Sequence, residues 1–257
     1  MKIDFYKYQG TGNDFVIIDN RNDSFPKKNV ELISQMCNRR FGIGADGLII
    51  LENHATLDFT MHYFNADGNI GSMCGNGGRC IVRFAEYLNI VKNQTTFEAI
   101  DGIHEATIDK ENISLKMNDV LDIEVSTNHV FLDTGSPHHV QLVDDLENYN
   151  VKNEGAAIRY TAYGKTGANI NFVETIEKNT FAVRTYERGV EDETLSCGTG
   201  VTAVAIALFE TNKTSSDKVT LQTKGGMLHV NFNKTDTGYS NVYLKGPALQ
   251  VFKGIWQ

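Results

Sequence analysis

Most of the chain consists of short apolar runs separated by turns, a pattern typical of β-strands. Such runs occupy residues 3–8, 15–19, 48–51 and 60–64. Residues 29–40 instead have helical spacing, which puts Val30, Ile33 and Cys37 on one face. The pattern therefore predicts many strands and few helices.

Two longer helical segments differ from the rest because each follows a glycine-rich turn that contains a cysteine. Cys74 lies in the turn before the helix predicted at residues 81–88, and Cys197 lies in the turn before residues 201–209. The second segment is apolar on every side, and a helix of that kind is buried on all sides. We expect a sheet to enclose each of these helices.

The second half of the chain repeats the first. Cys197 follows Cys74 by 123 positions. The same shift aligns residues 11–13 with 134–136, 44–46 with 167–169, Tyr63 with Tyr186 and Asn65 with Arg188. Near the end the shift becomes 124 and aligns Gly102 with Gly226. One register that joins separated turns indicates a duplicated domain.

We therefore predict an α+β fold with two pseudo-symmetric domains, at residues 1–117 and 118–257. Each is expected to be a barrel-like, mostly antiparallel sheet wrapped around a central helix. Two such halves would meet at a cleft, which is a common location for a ligand. A pseudo-two-fold relation would bring the two cysteine turns face to face across that cleft.

Composition narrows the function classes. The chain has 257 residues, 41% of them hydrophobic, and a net charge of −8, which argues against a nucleic-acid partner. No apolar run has the length of a membrane span, and residues 1–7 carry charges where a signal peptide is apolar. We expect a cytoplasmic protein without a membrane partner. The cysteines lack zinc-ligand spacing, so we expect no metal.

The two cysteine turns suggest acid–base chemistry. A helix N-terminus attracts anions and lowers the pKa of a thiol placed there. Two such thiols on opposite sides of one carbon could act as base and acid, because like charges disfavour ionisation of both. Removal of a proton from one face and its return to the other inverts a stereocentre. The helix ends would help to stabilise the carbanion.

Several motifs resemble those of the diaminopimelate epimerase family. They are Gly12-Asn13-Asp14-Phe15, Asn65-Ala66-Asp67-Gly68, Met73-Cys74-Gly75-Asn76-Gly77, Pro137-His138, Tyr186-Glu187-Arg188-Gly189 and Ser196-Cys197-Gly198-Thr199-Gly200. The resemblance spans almost the whole chain. It implies cofactor-independent interconversion of LL- and meso-2,6-diaminopimelate, on the route to lysine and peptidoglycan. It also implies the fold predicted above, residues 248–257 packed on the first domain, and a homodimer.

The resemblance also implies site residues. It assigns Cys74 and Cys197 as the acid–base thiols, tuned by His138 and Glu187. The implied substrate-binding residues are Asn13, Asn65, Gly75, Asn76, Asn169, Glu187, Arg188, Gly198 and Thr199. Arg188 is expected to hold the distal carboxylate, since guanidinium groups bind carboxylates in bidentate fashion.

Two positions depart from the family pattern, and three further functions compete. Ser136 stands where many members have asparagine, and Gly47 stands where many have a glutamine that contacts substrate.

A proline or hydroxyproline racemase shares this architecture, but it typically has histidine at the position of Asn76. A thiol redox or acyl-transfer enzyme and a non-catalytic amino-acid-binding protein also fit the fold. Cys37 and Cys80 are expected to be inert, since buried cysteine usually is.

Overall fold

The computed structural model describes residues 2–257; Met1, the first residue of the predicted first domain, lies outside the described residues. The helices are α1 (Val30–Cys37), α2 (Gly75–Tyr87), α3 (Val151–Tyr163) and α4 (Gly198–Glu210). The strands are β1 (Ile3–Gly10), β2 (Asn13–Asp19), β3 (Gly47–Glu52), β4 (Phe59–Asn65), β5 (Gln94–Ala99), β6 (Gly102–Asp109), β7 (Asn112–Lys116), β8 (Ile123–Val125), β9 (Val130–Asp133), β10 (Pro137–Leu142), β11 (Asn169–Glu177), β12 (Thr180–Glu187), β13 (Asp192–Thr194), β14 (Lys218–Thr223), β15 (Gly226–Thr235), β16 (Gly238–Pro247) and β17 (Leu249–Trp256).

The chain divides into two compact units, Met1–Leu115 with Gly246–Gln257, and Lys116–Lys245. In the first unit the strands pair in the order β17, β1, β2, β3, β4, β5, β6, β7. The pairs β2–β3 and β4–β5 are parallel, and the others are antiparallel. The C-terminal strand thus adds to the sheet of the first unit through β1.

The second unit repeats this order with β8, β9, β10, β11, β12, β14, β15, β16. Its parallel pairs, β10–β11 and β12–β14, fall at the same two places as in the first unit. The short strand β13 is an addition that pairs with β12. Both units are therefore mostly antiparallel sheets with the same connections, and the predicted fold class is confirmed.

The central helix α4 is enclosed as its sequence predicts. Every residue from Val201 to Leu208 is at most 1% exposed. Its side chains belong to one core with residues of the surrounding strands, among them Phe181, Leu221 and Leu244. This burial fixes the helix by contacts all around its axis.

Helix α1 is shorter than its spacing predicts. The side chain of Asn29 caps it by accepting a hydrogen bond from the amide of Leu32, and it ends at Cys37 because Asn38 has extended backbone. Ile33 and Cys37 are buried as predicted. Val30 is 44% exposed, since it is the first residue of the helix and precedes the buried face. None of the helices within residues 2–257 combines the length and apolarity needed to span a membrane.

Contacts with the central helices define which residues of the two units are equivalent. The Ile49 side chain packs against Gly77 of α2, and the Asn171 side chain packs against Gly200 of α4. Gly77 and Gly200 each lie three residues after the cysteine that precedes their helix. Ile49 and Asn171 therefore occupy equivalent positions, 122 residues apart rather than 123.

The strand pairing extends the same one-residue shift to β4 and β12. Ile49 pairs with Tyr63 and Asn171 pairs with Thr185, so the equivalent of Tyr63 is Thr185. By the same register the equivalent of Asn65 is Glu187. These two predicted matches, and that of Asp46 with Asn169, are wrong by one residue. The reason is that the connection from β10 to β11 (residues 143–168) is one residue shorter than the connection from β2 to β3 (residues 20–46).

We expect Ile206→Ala to lower the free energy of unfolding by about 2–5 kcal/mol, the usual cost of emptying a core site. Ile206 is fully buried in α4. Urea denaturation measures the change, and Leu249→Ala, at a site 42% exposed in β17, is the control. Equal small losses in both variants would contradict the enclosure of α4.

Candidate active site

A cysteine with extended backbone immediately precedes each central helix. Cys74 has φ −114° and ψ 118°, and Cys197 has φ −119° and ψ 114°. Within residues 2–257, neither side chain hydrogen-bonds to a first-turn amide of its own helix. The first amides of a helix have no intrahelical partner. Both units therefore place a thiol beside a helix end that suits an anion.

In the first unit, the Asn13 side chain links the Cys74 thiol to the carboxylate of Asp46. Its side-chain oxygen lies 3.5 Å from the Cys74 sulfur and accepts a hydrogen bond from Asn76 Nδ2 at 3.3 Å. Its Nδ2 donates to Asp46 Oδ2 at 2.6 Å. Because the carboxylate can only accept, it fixes the amide with the oxygen toward the cysteine.

A buried arginine, not predicted as a site residue, is the fifth residue of α2. Arg79 is 0% exposed and donates to the carbonyl of Gly75, to Thr11 Oγ1 and to Asn76 Oδ1. Within the described chain its hydrogen bonds all go to neutral oxygens. Burial lowers its pKa to about 10, so the guanidinium stays charged at neutral pH and interacts with the Cys74 thiol.

An ion-pair cluster holds the start of β2. Asp14 lies 2.6 Å from both Lys7 Nζ and Arg39 Nη2, and Arg39 also binds Asp46 at 2.6 Å. Burial alone would raise the pKa of Asp14, but the hydrogen bonds and charges of Arg39 and Lys7 outweigh it and bring the pKa to about 2. The cluster thus fixes the backbone that carries Asn13.

The ring of Tyr63 occupies the space beside Gly47. A Cβ added at Gly47 would lie 2.5 Å from the Tyr63 ring, and one at Gly71 would also lie 2.5 Å from that ring. The side-chain oxygen of Asn65 lies against the same glycine, Gly71. Tyr63 therefore fills the space that a side chain at position 47 would enter.

In the second unit, Ser136 joins two of the predicted residues. Its Oγ accepts hydrogen bonds from Asn169 Nδ2 at 3.0 Å and from Arg188 Nη2 at 3.2 Å. The Arg188 amide donates to Asn169 Oδ1 at 2.9 Å, and its Nη1 donates to the Thr166 carbonyl at 3.1 Å. Ser136 thus supplies a hydroxyl group that orients Asn169 and Arg188.

His138 is fully buried beside Asn171. Its Nδ1 lies 3.2 Å from Asn171 Nδ2, and among residues 2–257 its Nε2 has no hydrogen-bond partner. Burial lowers the pKa of His138 to about 3, with a further contribution from the charge of Arg188. The imidazole is therefore neutral at neutral pH.

Thr199 lies beside Cys197, and Glu187 is held by a threonine of β13. The Cys197 sulfur is 3.5 Å from Thr199 Oγ1, and Thr134 Oγ1 donates to the Thr199 carbonyl at 2.9 Å. Glu187 Oε2 accepts a hydrogen bond from Thr194 Oγ1 at 2.8 Å. Thr134 thus holds the first turn of α4 through the Thr199 carbonyl.

The other two cysteines have different surroundings. Cys37 and Cys80 are buried, and burial raises the pKa of each thiol to about 12. Both therefore stay neutral thiols, which favours the inert interpretation. A raised pKa disfavours the nucleophilic thiolate form.

Arg79 and Asn171 were missed because periodicity does not identify buried polar contacts. Arg79 lies within the cysteine motif Met73–Cys80, and Asn171 interrupts the apolar run Ile170–Val173. A polar residue inside a buried strand needs a hydrogen-bond partner, so its presence in an apolar run indicates a buried polar contact.

Comparison with known sequences decides the family. A sequence model of the family described as diaminopimelate epimerase matches residues 5–121 and 130–251. The chain belongs to the diaminopimelate epimerase family. It is 60% identical to the diaminopimelate epimerase of Flavobacterium psychrophilum over 96% of this chain and 98% of the relative. It is 43% identical to that of Chlorobaculum tepidum over 95% and 98%.

Solved structures show that this family shares its fold with more distant proteins. A Bacillus anthracis phenazine biosynthesis protein of the PhzF family matches 100% of this chain and 99% of its own, with TM-score 0.78 and 14% identity. A hydroxyproline epimerase from Agrobacterium vitis matches 99% and 92%, with TM-score 0.69 and 10% identity. At these identities the likeness concerns the fold alone.

Because of the ion-pair cluster around Asp14, we expect the free energy of unfolding to depend on pH. The pKa of Asp14 is lower in the folded chain than its ordinary value, so the stabilisation is full above that value and is lost as pH falls toward 2. We expect Asp14→Asn to cost roughly 2 kcal/mol at neutral pH.

Urea denaturation at several pH values measures this term. The difference between wild type and Asp14→Asn should shrink between about pH 5 and pH 2. Asp236→Asn, at an exposed residue, serves as the control. A difference that stays constant with pH would refute the role of the cluster.

Proposed function

We propose that the chain is an isomerase that interconverts LL- and meso-2,6-diaminopimelate without a cofactor. Its family membership and its 60% identity to a named diaminopimelate epimerase support this activity. The observation that carries the mechanism is the same in both units: a cysteine in extended backbone immediately precedes the buried central helix. Such a duplicated thiol suits a reaction that acts on both faces of one carbon.

In the proposed reaction, Cys74 and Cys197 exchange one proton each with the α-carbon. The thiolate of one removes the α-proton, becoming a thiol and leaving a carbanion. The thiol of the other donates its proton to the opposite face and becomes a thiolate. The configuration inverts, no net proton is consumed, and the two cysteines have exchanged states for the reverse direction.

The helix ends bind the reacting carboxylate in this proposal. The amides assigned to it are those of Gly75, Asn76, Gly198 and Thr199. Helix N-termini stabilise negative charge, and this favours the carbanion as its charge spreads to the carboxylate. Asn13 supports the arrangement from the first unit, since it binds both Asn76 and Asp46.

The distal end of the substrate is assigned to Asn65, Asn169 and Arg188. Arg188 has the fork geometry for a carboxylate, and Ser136 orients it together with Asn169. His138 and Glu187 are assigned as groups that tune the thiols. Because His138 is neutral at neutral pH, it acts as a dipole and a hydrogen-bonding group rather than as a charge.

A cytoplasmic location and a homodimer belong to the same proposal. Both rest on the resemblance to the family. Gel filtration with light scattering would measure the mass of the assembly, and a single-chain mass would refute the dimer.

The purified, reduced protein should convert LL-diaminopimelate to the meso isomer in buffer without pyridoxal phosphate. Separation of the isomers by chiral chromatography measures the conversion. Proline and hydroxyproline should not be racemised. Turnover of proline alone would favour a proline racemase, whereas thiol–disulfide turnover without racemisation would favour a redox enzyme.

Replacement of either thiol should remove epimerisation. Cys74→Ala and Cys197→Ala each delete one acid–base group, for which we expect a loss of at least about 10²–10⁴-fold in kcat. Cys37→Ala, at a buried thiol outside the proposed site, should retain activity. Full activity in either single variant refutes the two-thiol scheme.

Arg79 should favour the thiolate of Cys74, since a nearby positive charge stabilises the charged form. We expect Arg79→Met to move the alkylation of Cys74 by iodoacetamide to higher pH. The measurement is made in a Cys197→Ala background. The acidic limb of the kcat/KM profile should move in the same direction when Cys197 is intact.

The matched control for Arg79 lies one turn along the same helix. Arg83→Met removes a guanidinium that is instead paired with Glu86. It should leave the pH dependence of alkylation unchanged. Equal shifts in both variants would show that the effect is not specific to Arg79.

A further inference from the structure

A buried polar cluster in the second unit has no counterpart in the first. His138, Asn171 and Thr185 are each at most 3% exposed. The equivalent position to Asn171 in the first unit is Ile49, which is fully buried and apolar. The fold therefore accepts an apolar residue at this position, and the cluster needs a reason other than folding.

The neighbours in the first unit support the same point. Phe15 pairs with the first residue of β3, and His138 pairs with the first residue of β11, so these two positions are equivalent. Phe15 and Tyr63 form a ring contact with centroids 5.9 Å apart. An aromatic contact in one copy is replaced by a hydrogen-bonded cluster in the other.

The hydrogen bonds of Asn171 fix its orientation. Its Nδ2 lies 2.9 Å from the carbonyl of His139, which can only accept. Its Oδ1 accepts from Thr185 Oγ1 at 2.9 Å. The amide nitrogen therefore faces the histidine pair.

This orientation determines the proton position on His138. The same Nδ2 lies 3.2 Å from His138 Nδ1, so Nδ1 must accept. A neutral imidazole that accepts at one nitrogen carries its proton on the other. Nε2 is therefore a donor, and it is buried without a partner among the described residues. A buried donor left unpaired costs free energy, which a ligand or a charged group can recover.

We propose that Asn171 is a positioning residue that holds His138 as the Nε2–H tautomer, so that Nε2 donates a hydrogen bond to an anion during epimerisation. The anion is either a thiolate or a substrate carboxylate. The low pKa of His138 keeps this donor neutral across the working range. The inference rests on the proposed epimerase function.

Nitrogen-15 NMR of histidine-labelled protein tests the tautomer without any turnover. The His138 signals are assigned by their loss in His138→Gln. At neutral pH the wild type should show an unprotonated Nδ1 and a protonated Nε2. A protonated Nδ1 in the wild type would overturn the proposal, whether or not the protein is an epimerase.

Asn171→Asp reverses the hydrogen bond, because a carboxylate accepts from Nδ1–H. The His138 proton should move from Nε2 to Nδ1, which removes the Nε2–H donor. The kcat for diaminopimelate should fall by about 10- to 100-fold, the usual effect of losing a hydrogen bond to a charged group. Unchanged kcat with an altered proton position would refute the positioning role while leaving the epimerase function intact.

The matched control is Asn20→Asp, the same change at an asparagine that is 2% exposed in the first unit. Asn20 donates to Glu52 and accepts from the amide of Phe25. This variant should keep the His138 tautomer and the kcat of wild type. A comparable loss of kcat would mean that a buried charge, rather than the tautomer, lowers activity.

Two further measurements, in protein that keeps Asn171 and His138, identify the anion. A shift of the Nε2–H signal on adding diaminopimelate indicates a substrate carboxylate. A shift in Cys74→Ala or Cys197→Ala without substrate indicates a thiolate. No shift in either measurement would contradict the proposed donation.

Discussion

Complete enclosure of an apolar helix is the constraint on which this structure depends. Helix α4 is buried on every side, so only its ends can take part in chemistry. Its N-terminal end carries Cys197, and the equivalent end of α2 carries Cys74. A rigid support of this kind fixes the backbone around each thiol, as a site for proton transfer requires.

The two copies of the domain share a scaffold but differ in the chemistry around their thiols. Arg79 donates to the carbonyl of Gly75, and Thr202, its equivalent, donates to the carbonyl of Gly198 at 2.9 Å. The same carbonyl is thus satisfied by a cation in one copy and by a hydroxyl in the other. The two thiols therefore share one backbone geometry but have different electrostatic surroundings. Such a difference suits a pair in which one thiol must act as an acid and the other as a base.

The features readable from the sequence were those carried by local pattern. The apolar surface of α4, the repeat and the two cysteine turns each follow from residue types at a fixed spacing. Register within the repeat was predicted less well, because the connection from β10 to β11 is one residue shorter than the connection from β2 to β3. The roles of Arg79 and Asn171 depend on partners distant in sequence, such as Thr11 and His138, and no periodicity records such contacts.

The position of an isotope tests the two-thiol mechanism most directly. LL-diaminopimelate is converted in deuterated water, and the reaction is stopped at low conversion. If one cysteine removes the proton and the other supplies a new one, the meso product carries deuterium at the inverted carbon. The remaining LL substrate should still carry protium there. Product that retains the substrate's own hydrogen would contradict proton transfer by two separate groups.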